Sequence, residues 1–226
     1  MENYLQGVAV LDIEATSLDT RNGAIASIGL VTFKDGKLVR FYRAFWPFNG
    51  AKIDESALKV NGFTLKQLNN RCNCKNPADC KLQEHMHDPA EVTLCLERFM
   101  RENNCHTIAG QNPAFDTNYA NAYFERYKKF NFMSHRNIDL HSIAYAYIVS
   151  NGIDMPTDSV SGGGHDYKRN DLSATKVYKM LGMPMEPRPH NALTGAVFEF
   201  EALCRLIYGK PVLEEFKKYS MLKKIL

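Results

Sequence analysis

Residues 8–14 read VAVLDIE, an apolar run that is interrupted by Asp12 and followed by Glu14. A short apolar run bounded by polar residues is typical of a buried strand, and side chains two apart on a strand point to the same face. Carboxylates on a buried strand cost free energy unless they bind something positive. Because hard cations prefer oxygen ligands, the stretch predicts a strand that binds Mg²⁺ or Mn²⁺ rather than zinc.

The next two strand-like runs are residues 27–33 and 38–45, and they are joined by Lys34-Asp35-Gly36-Lys37. An Asp-Gly pair between apolar runs favours a β-hairpin. We therefore expect the chain to begin with a three-strand antiparallel meander. Helical periodicity then alternates with short strand-like runs, which predicts an α/β fold with a mixed β-sheet flanked by helices.

Start signals for helices place several later elements. Asp54 and Thr64 can each cap a short helix, and Asp88-Pro89 provides an N-cap followed by a proline in the first turn. The glycine-rich residues 161–164 favour a flexible loop. The remaining expected elements are strands at residues 107–109 and 137–140 and helices at residues 114–127, 142–149, 172–181 and 192–207.

The composition is that of one soluble globular domain. The chain has 226 residues, 45% hydrophobic and 23% charged, so we expect a single domain over residues 1–226. No apolar run approaches the ~20 residues of a membrane span, and the N-terminal residues lack a secretory pattern. Six cysteines do not make a disulfide scaffold at this length, which favours the reducing cytoplasm. A net charge of +3 permits a nucleic-acid partner without establishing one.

A polar insertion is expected around residues 69–88, because this segment lacks periodicity and is rich in Cys, Asn and His. Three cysteines and two histidines are enough for one tetrahedral structural Zn²⁺. The alternative is a polar surface loop with free thiols. The candidate zinc ligands are Cys72, Cys74, Cys80, His85 and His87.

Two further residues carry candidate chemistry. Asp116 stands at the start of a predicted helix in the stretch IAGQNPAFD, where an acid alone can serve the helix dipole. His190 stands directly before the last long helix, and a single histidine there is more often structural than catalytic. Taken one at a time, neither residue identifies a function.

Together, three segments resemble the motifs of the DEDDh group of 3′–5′ exonucleases, which belongs to the ribonuclease-H-like superfamily and includes ribonuclease T and oligoribonuclease. The segments are LDIEAT at residues 11–16, QNPAFD at 111–116 and HNAL at 190–193. Supporting matches are ASIGLV at 26–31 and HRNIDL at 135–140. The resemblance spans about residues 8–208 and is interrupted by the Cys/His insertion.

The resemblance implies a two-metal phosphodiesterase with the ribonuclease-H-like fold. Asp12, Glu14 and Asp116 would hold two Mg²⁺ or Mn²⁺ ions, and His190 would be the general base. The substrate would be the 3′ end of single-stranded DNA or RNA, and the product a nucleoside 5′-monophosphate. A homodimer occurs among relatives, but nothing in this sequence indicates one. The implied contacts to the terminal nucleotide are Ala15, Thr16, Asn112 and Phe115.

The chain departs from the group's pattern at Gly195, five residues after His190, where the group has a fourth metal-binding aspartate. The glycine is an inactivating change, or it belongs to a protein that binds nucleic acid without cutting it, or Glu199 one turn later supplies the ligand. Because Gly within a helix costs about 0.5–1 kcal/mol relative to Ala, it was not favoured for stability. We expect an impaired enzyme whose rate Gly195→Asp raises by orders of magnitude.

Overall fold

The chain folds around one six-stranded mixed sheet flanked by helices, in a computed structural model that describes residues 4–72, 85–162 and 165–220. The strands follow the order β4-β3-β2-β1-β5-β6, and the predicted fold class is confirmed. The sheet strands are β1 Val8–Ala15, β2 Ile25–Lys34, β3 Lys37–Phe45, β4 Met86–His87, β5 Thr107–Gly110 and β6 Asn137–Asp139. The helices are α1 Glu55–Asn61, α2 Leu65–Leu68, α3 Pro89–Glu102, α4 Pro113–Arg126, α5 Leu140–Ser150, α6 Ala174–Met180 and α7 Ala192–Tyr208.

The first three strands form the antiparallel meander that the sequence predicts. Asp35 and Gly36 both have positive φ, 51° and 76°, which is the turn geometry that matches the twist of a hairpin. Strand β2 pairs with β1 on one side and β3 on the other, and Asp12 lies directly opposite Gly29. On the far side of β1, strands β5 and β6 pair in parallel. Strand β1 is therefore central.

Alternation along β1 divides the core into two layers. Ala9, Leu11 and Ile13 pack with residues of α3 and α4. Val8 and Val10 pack with residues of α5, α6 and α7 on the opposite face. Because side chains alternate along a strand, Asp12 and Glu14 continue the second series and point toward the α7 side of the sheet.

Two segments differ from the sequence-based expectation. The end of the insertion forms β4, which adds a parallel edge strand to β3; a strand of two residues is too short to show periodicity. The prediction of a flexible loop at residues 161–164 is wrong at Ser161 and Gly162. These two residues end strand β7 (Thr157–Gly162), which forms a hairpin with β8 (His165–Asn170). The side chains described in this hairpin are almost all exposed, so the alternation that marks a half-buried strand is absent.

The predicted zinc site is not supported. Cys72 is disulfide-bonded, so its sulfur is not a thiolate ligand. The described residues contain no group of three or more His, Cys, Asp or Glu side chains arranged to hold a metal ion. Cys74 and Cys80 lie outside the described residues, and His87 is buried in β4 at 3% exposure. Within the described parts of the chain, every helix is too short or too polar to cross a membrane.

A buried ion pair attaches the C-terminal segment to α7. Arg205 Nε lies 2.8 Å from Glu201 Oε1, and both side chains are fully buried. The guanidinium also donates to the carbonyls of Leu181, Phe216 and Tyr219. Glu201 Oε2 accepts the backbone N–H groups of residues 212 and 213. Every charge in the pair thus has several hydrogen-bond partners, as a buried ion pair requires.

We expect Arg205→Met to lower the free energy of unfolding by about 3–5 kcal/mol, because it leaves the Glu201 carboxylate buried without its partner. Urea denaturation followed by circular dichroism measures this. The double variant Glu201→Leu/Arg205→Met should lose less than the sum of the two single variants, since the pair is removed as a unit. A loss below about 1 kcal/mol for Arg205→Met would contradict the role given to the pair.

His87 makes the free energy of unfolding depend on pH. Burial lowers the pKa of His87 from 6.5 to about 4, with smaller contributions from the charges of Arg43 and His85. Because the folded pKa is below the unfolded one, the unfolded chain binds more protons between pH 6.5 and 4. The contribution of His87 to the free energy of unfolding therefore falls as the pH is lowered through this window. In His87→Leu this fall should be smaller, whereas exposed His135→Gln should retain it; equal slopes in all three proteins would rule out His87.

Candidate active site

The site begins where β1 approaches the first turn of α7. Gly29 lies opposite Asp12, and a Cβ at Gly29 would collide with the backbone of Ala192 and Leu193. The missing side chain therefore lets the start of α7 rest directly on the sheet beside Asp12. The supporting segment ASIGLV thus has a physical reason for its glycine, which is close approach of helix to strand.

Asp116 joins the two acids of β1 from the first turn of α4. Beyond Val10, strand β5 no longer pairs with β1, and Asp116 Oδ1 instead accepts the N–H of Ile13 at 2.9 Å. The Asp116 side chain is buried, with 5% exposure. The structure therefore brings together Asp12, Glu14 and Asp116, at the carboxyl end of a central strand where α/β proteins commonly form their sites.

Helix α7 and the segment directly before it carry three of the residues considered from sequence, His190, Gly195 and Glu199. Asn191 caps the helix by accepting the N–H groups of Leu193 and Thr194, which fixes His190 just before the first turn. Gly195 lies against Asp12, since a Cβ there would contact the carboxylate, with Asp12 Cγ 2.9 Å away. Glu199, one turn later on the same face, is buried at 6% exposure.

Glu186 is a fifth carboxylate that sequence reasoning missed. It precedes His190 by four residues, and its Oε1 lies 3.5 Å from His190 Nδ1. It also acts electrostatically on Asp12. The segment around it, PMEPRPH, has three prolines and no periodicity, so no pattern assigned the acid to a face. Its spacing to His190 was the one available signal.

Burial, followed by mutual repulsion, governs the electrostatics of these five carboxylates. Burial and then the charge of Glu186 raise the pKa of Asp12 to about 7, and burial and then Asp12 raise the pKa of Glu14 to about 9. Burial, followed by neighbouring carboxylates, raises the pKa values of Asp116 and Glu199 well above their usual range. Among the described residues, the basic side chains that act on Glu186 are His190 and Arg188, whereas the pKa shifts of Asp12, Glu14, Asp116 and Glu199 have no basic side chain among their causes.

These residues fit divalent cations by chemistry. They offer carboxylate oxygens, which suit Mg²⁺ and Mn²⁺. Glu199 Oε2 is buried and has no hydrogen-bond partner among the described residues, and Glu186 Oε1 is buried 3.5 Å from His190 Nδ1. In the described parts of the chain the side chains do not already stand in a ready metal-binding arrangement, and Asp12 occupies the space beside Gly195. The metal assignment therefore stays a prediction.

Two neighbouring cavities flank the cluster. The larger has a volume of about 480 Å³, and the smaller, of about 340 Å³, is lined by His190 and Tyr42 among others. Asn61 lines both. Leu18 and Val60 at the larger cavity are exposed apolar side chains, Leu18 at 84%. The larger cavity is lined by Ile13, Glu14, Ala15, Ser17, Leu18, Asp19, Lys52, Asp54, Ser56, Ala57, Val60, Asn61 and Phe115.

The expected nucleotide contacts separate into two groups. Ala15 and Phe115 line the larger cavity. Thr16 is fully buried; its N–H donates to Ala24, its carbonyl accepts from Asp54, and its hydroxyl donates to Lys52. Its backbone donor is therefore occupied within the loop.

Asn112 is the remaining expected contact. Its side chain is exposed, and its backbone N–H donates to Asp139 Oδ1. It is the N-cap residue of α4 and has a left-handed backbone with a φ of 55°. Both Thr16 and Asn112 have a structural role that the motifs alone do not reveal.

Comparison with known proteins gives one sequence relative. No protein-family model matches the chain. Ribonuclease T of Actinobacillus pleuropneumoniae serotype 5b (strain L20) is 26% identical over 136 residues. The alignment covers 56% of this chain and 58% of that protein, so it spans little more than half of the relative.

Solved structures of exonuclease I share the fold. The E. coli enzyme in its zinc-bound complex with single-stranded DNA matches with a TM-score of 0.63 at 13% identity, covering 89% of this chain and 40% of that one. Exonuclease I of Methylocaldum szegediense matches with a TM-score of 0.61 at 16% identity, covering 90% and 41%. With the motifs of β1, α4 and α7 converging on such a fold, the resemblance of this chain to the DEDDh-type exonucleases of the ribonuclease-H-like superfamily is confirmed.

Proposed function

We propose that this chain is a metal-dependent 3′–5′ exonuclease that hydrolyses phosphodiester bonds from the 3′ end of single-stranded DNA or RNA and releases nucleoside 5′-monophosphates. The observation that carries the proposal is the convergence of Asp12, Glu14 and Asp116 beside His190. Asp116 is buried and Asp12 and Glu14 are half-buried, and carboxylates in this setting with so little compensating positive charge favour binding of a cation. The likeness to ribonuclease T and to exonuclease I supports the same activity.

Asp12, Glu14 and Asp116 would hold two Mg²⁺ or Mn²⁺ ions. The chemistry that such ions supply when bound is a lowered pKa for the attacking water and neutralisation of charge on the phosphate. The hydrogen bond from Ile13 to Asp116 fixes the Asp116 carboxylate relative to β1. Asp12 and Glu14 keep their common direction because they share one face of the strand.

His190 would take a proton from the attacking water at Nε2. Its Nδ1 faces Glu186 at 3.5 Å, so a proton held on Nδ1 leaves the Nε2 lone pair free to accept. Glu186 also provides the charge that stabilises the imidazolium formed by this transfer. Glu186 is thus a positioning residue for His190, in the way that a carboxylate orients a catalytic histidine elsewhere.

The larger cavity would receive the terminal nucleotide. Its volume lies within the range of ordinary small-molecule sites. Phe115, Leu18 and Val60 supply apolar surface for a base. Lys52 lines the same cavity and pairs with Asp54 at 3.3 Å, so a phosphate would compete with that carboxylate for it. Relatives with the same fold are known in complex with single-stranded DNA, which supports a single-stranded substrate.

Asp116→Asn should abolish most of the nuclease activity while stabilising the metal-free protein. We expect the rate to fall by about 100-fold or more, because metal ligation contributes several kcal/mol to the transition state. The thermal midpoint in EDTA should rise, because one repelling carboxylate is removed and the Asn oxygen can still accept from Ile13. A Mn²⁺-supplemented assay on a 5′-labelled single-stranded oligonucleotide measures the rate as stepwise shortening.

Asp35→Asn is the matched control, because Asp35 is exposed in the hairpin turn and Asn-Gly suits that turn equally well. It should change neither rate nor thermal midpoint. Binding of the oligonucleotide without shortening, by the native chain and by Gly195→Asp, would instead identify a catalytically silent binding module. Stepwise shortening therefore supports the exonuclease, and binding without shortening supports the binding module.

The impairment expected from Gly195 also stays a prediction. The Asp12 carboxylate occupies the space that a side chain at position 195 would take, so an aspartate there has to displace it. If the impairment is real, Gly195→Asp shortens the oligonucleotide faster than the native chain by orders of magnitude. Equal rates for the two proteins refute it.

A further inference from the structure

The carboxylate of Glu199 is unusual for its burial. The residue is 6% exposed on α7, and its Oε2 has no hydrogen-bond partner among the described residues. A carboxylate oxygen taken out of water without a partner costs free energy unless the group is protonated or meets a cation. Packing alone therefore does not explain why the Glu199 carboxylate is buried.

Glu201 on the same helix shows how the fold satisfies a structural carboxylate. Glu201 accepts from Arg205 and from two backbone N–H groups. The charges nearest to Glu199 are Asp12, Asp116 and Glu186, all of the same sign. The two acids lie two residues apart, yet Glu201 has a complete set of donors, whereas Glu199 has the backbone N–H of Gln111 and one oxygen, Oε2, without a partner.

Two glycine residues leave space for the Glu199 and Asp12 carboxylates. A Cβ on Gly110, at the end of β5, would lie 3.1 Å from Glu199 Oε2 and 2.9 Å from the carbonyl oxygen of Leu11. Gly195, one turn earlier on α7, leaves room that Asp12 fills. Glycine at both positions therefore lets the carboxylates of Glu199 and Asp12 approach each other between β1, β5 and α7.

We infer that Glu199 is the fourth metal-binding carboxylate of this chain. It would replace, as a metal ligand, the aspartate that the DEDDh exonucleases have at the position of Gly195. The inference rests on the proposed function for the role of the metal. Residues 195 and 199 are one helical turn apart and therefore lie on the same face of α7. Glutamate is longer than aspartate by one methylene, which extends its reach back toward the first turn, the direction in which helical side chains point.

The test measures metal binding and cleavage separately, on the full chain. Isothermal titration with Mn²⁺ should give a weaker affinity for Glu199→Gln than for the native chain, by about 10- to 100-fold, the loss commonly seen even for groups that only support a metal ligand. Mn²⁺ should also raise the thermal midpoint of the native chain more than that of Glu199→Gln. In EDTA, Glu199→Gln should be at least as stable as the native chain.

Two further variants make the outcome specific. Gly195→Asp/Glu199→Gln should recover Mn²⁺ affinity and cleavage relative to Glu199→Gln, because it returns the carboxylate one turn earlier. Gly195→Asp alone tells this inference apart from the impairment expected from the sequence: a cleavage rate within the same order of magnitude as the native chain supports Glu199 as the ligand, whereas a rise by orders of magnitude supports the impairment and overturns the inference. Glu201→Gln is the control on the same helix, and it should lower the thermal midpoint without changing Mn²⁺ affinity.

Native Mn²⁺ affinity in Glu199→Gln overturns the inference, whether or not the native chain cleaves. A native chain that binds Mn²⁺ through Glu199 but does not shorten the oligonucleotide overturns the proposed exonuclease and leaves the metal ligand standing. Absence of Mn²⁺ binding by the native chain overturns both. If Glu199→Gln proves unstable in EDTA, the double variant supplies the same comparison in a different side-chain background.

Discussion

Repulsion among carboxylates gathered at the end of β1 is the constraint on which the rest of the site depends. Asp12, Glu14 and Asp116 meet Glu186 and Glu199 in a region where burial raises all five pKa values, and like charge adds to the rise in every one except Glu186. A fold gains no stability from such an arrangement. It persists because the surrounding core is anchored elsewhere, and it makes chemical sense when positive charge enters from outside the chain.

Helix α7 shows the difference between structural and functional burial of charge. Glu201 and Arg205 are fully buried and have enough partners to fix the C-terminal segment. Glu199 is buried nearly as deeply and has an oxygen with no partner. Because both lie on one rigid helix, the stability provided by the first pair holds the second carboxylate in place. Local stability is thus used to support a site that is itself unfavourable without a cation.

Close backbone approach is the second feature of the site. Gly29 lets the start of α7 lie on β2, Gly110 leaves room for Glu199, and Gly195 leaves room for Asp12. Each glycine is explained by what a Cβ would meet. The departure at position 195 then has a packing consequence as well as a chemical one, since the vacated volume is taken by a neighbouring carboxylate.

The sequence by itself determined the elements and the residues at their ends. Alternation in VAVLDIE placed Asp12 and Glu14 on one face, Asp35-Gly36 defined the hairpin, and caps such as Asp88 located helix starts. These are local properties, which depend on neighbours within a few residues. The edge strand β4 and the exposed hairpin β7–β8 were missed because neither buries an alternating face.

Only the tertiary structure decided which charges meet. Glu186 lies in an aperiodic proline-rich segment that assigns it to no face. Glu199 was one of three explanations for Gly195 that the sequence left open, and its burial beside Asp12 and Asp116 became visible only in the fold. Thr16 resembles a substrate contact in its motif, yet its hydrogen bonds are made to Ala24 and to the distant residues Lys52 and Asp54. Burial and electrostatic repulsion depend on distances between segments far apart in the chain, and those distances exist only once the helices have packed on the sheet.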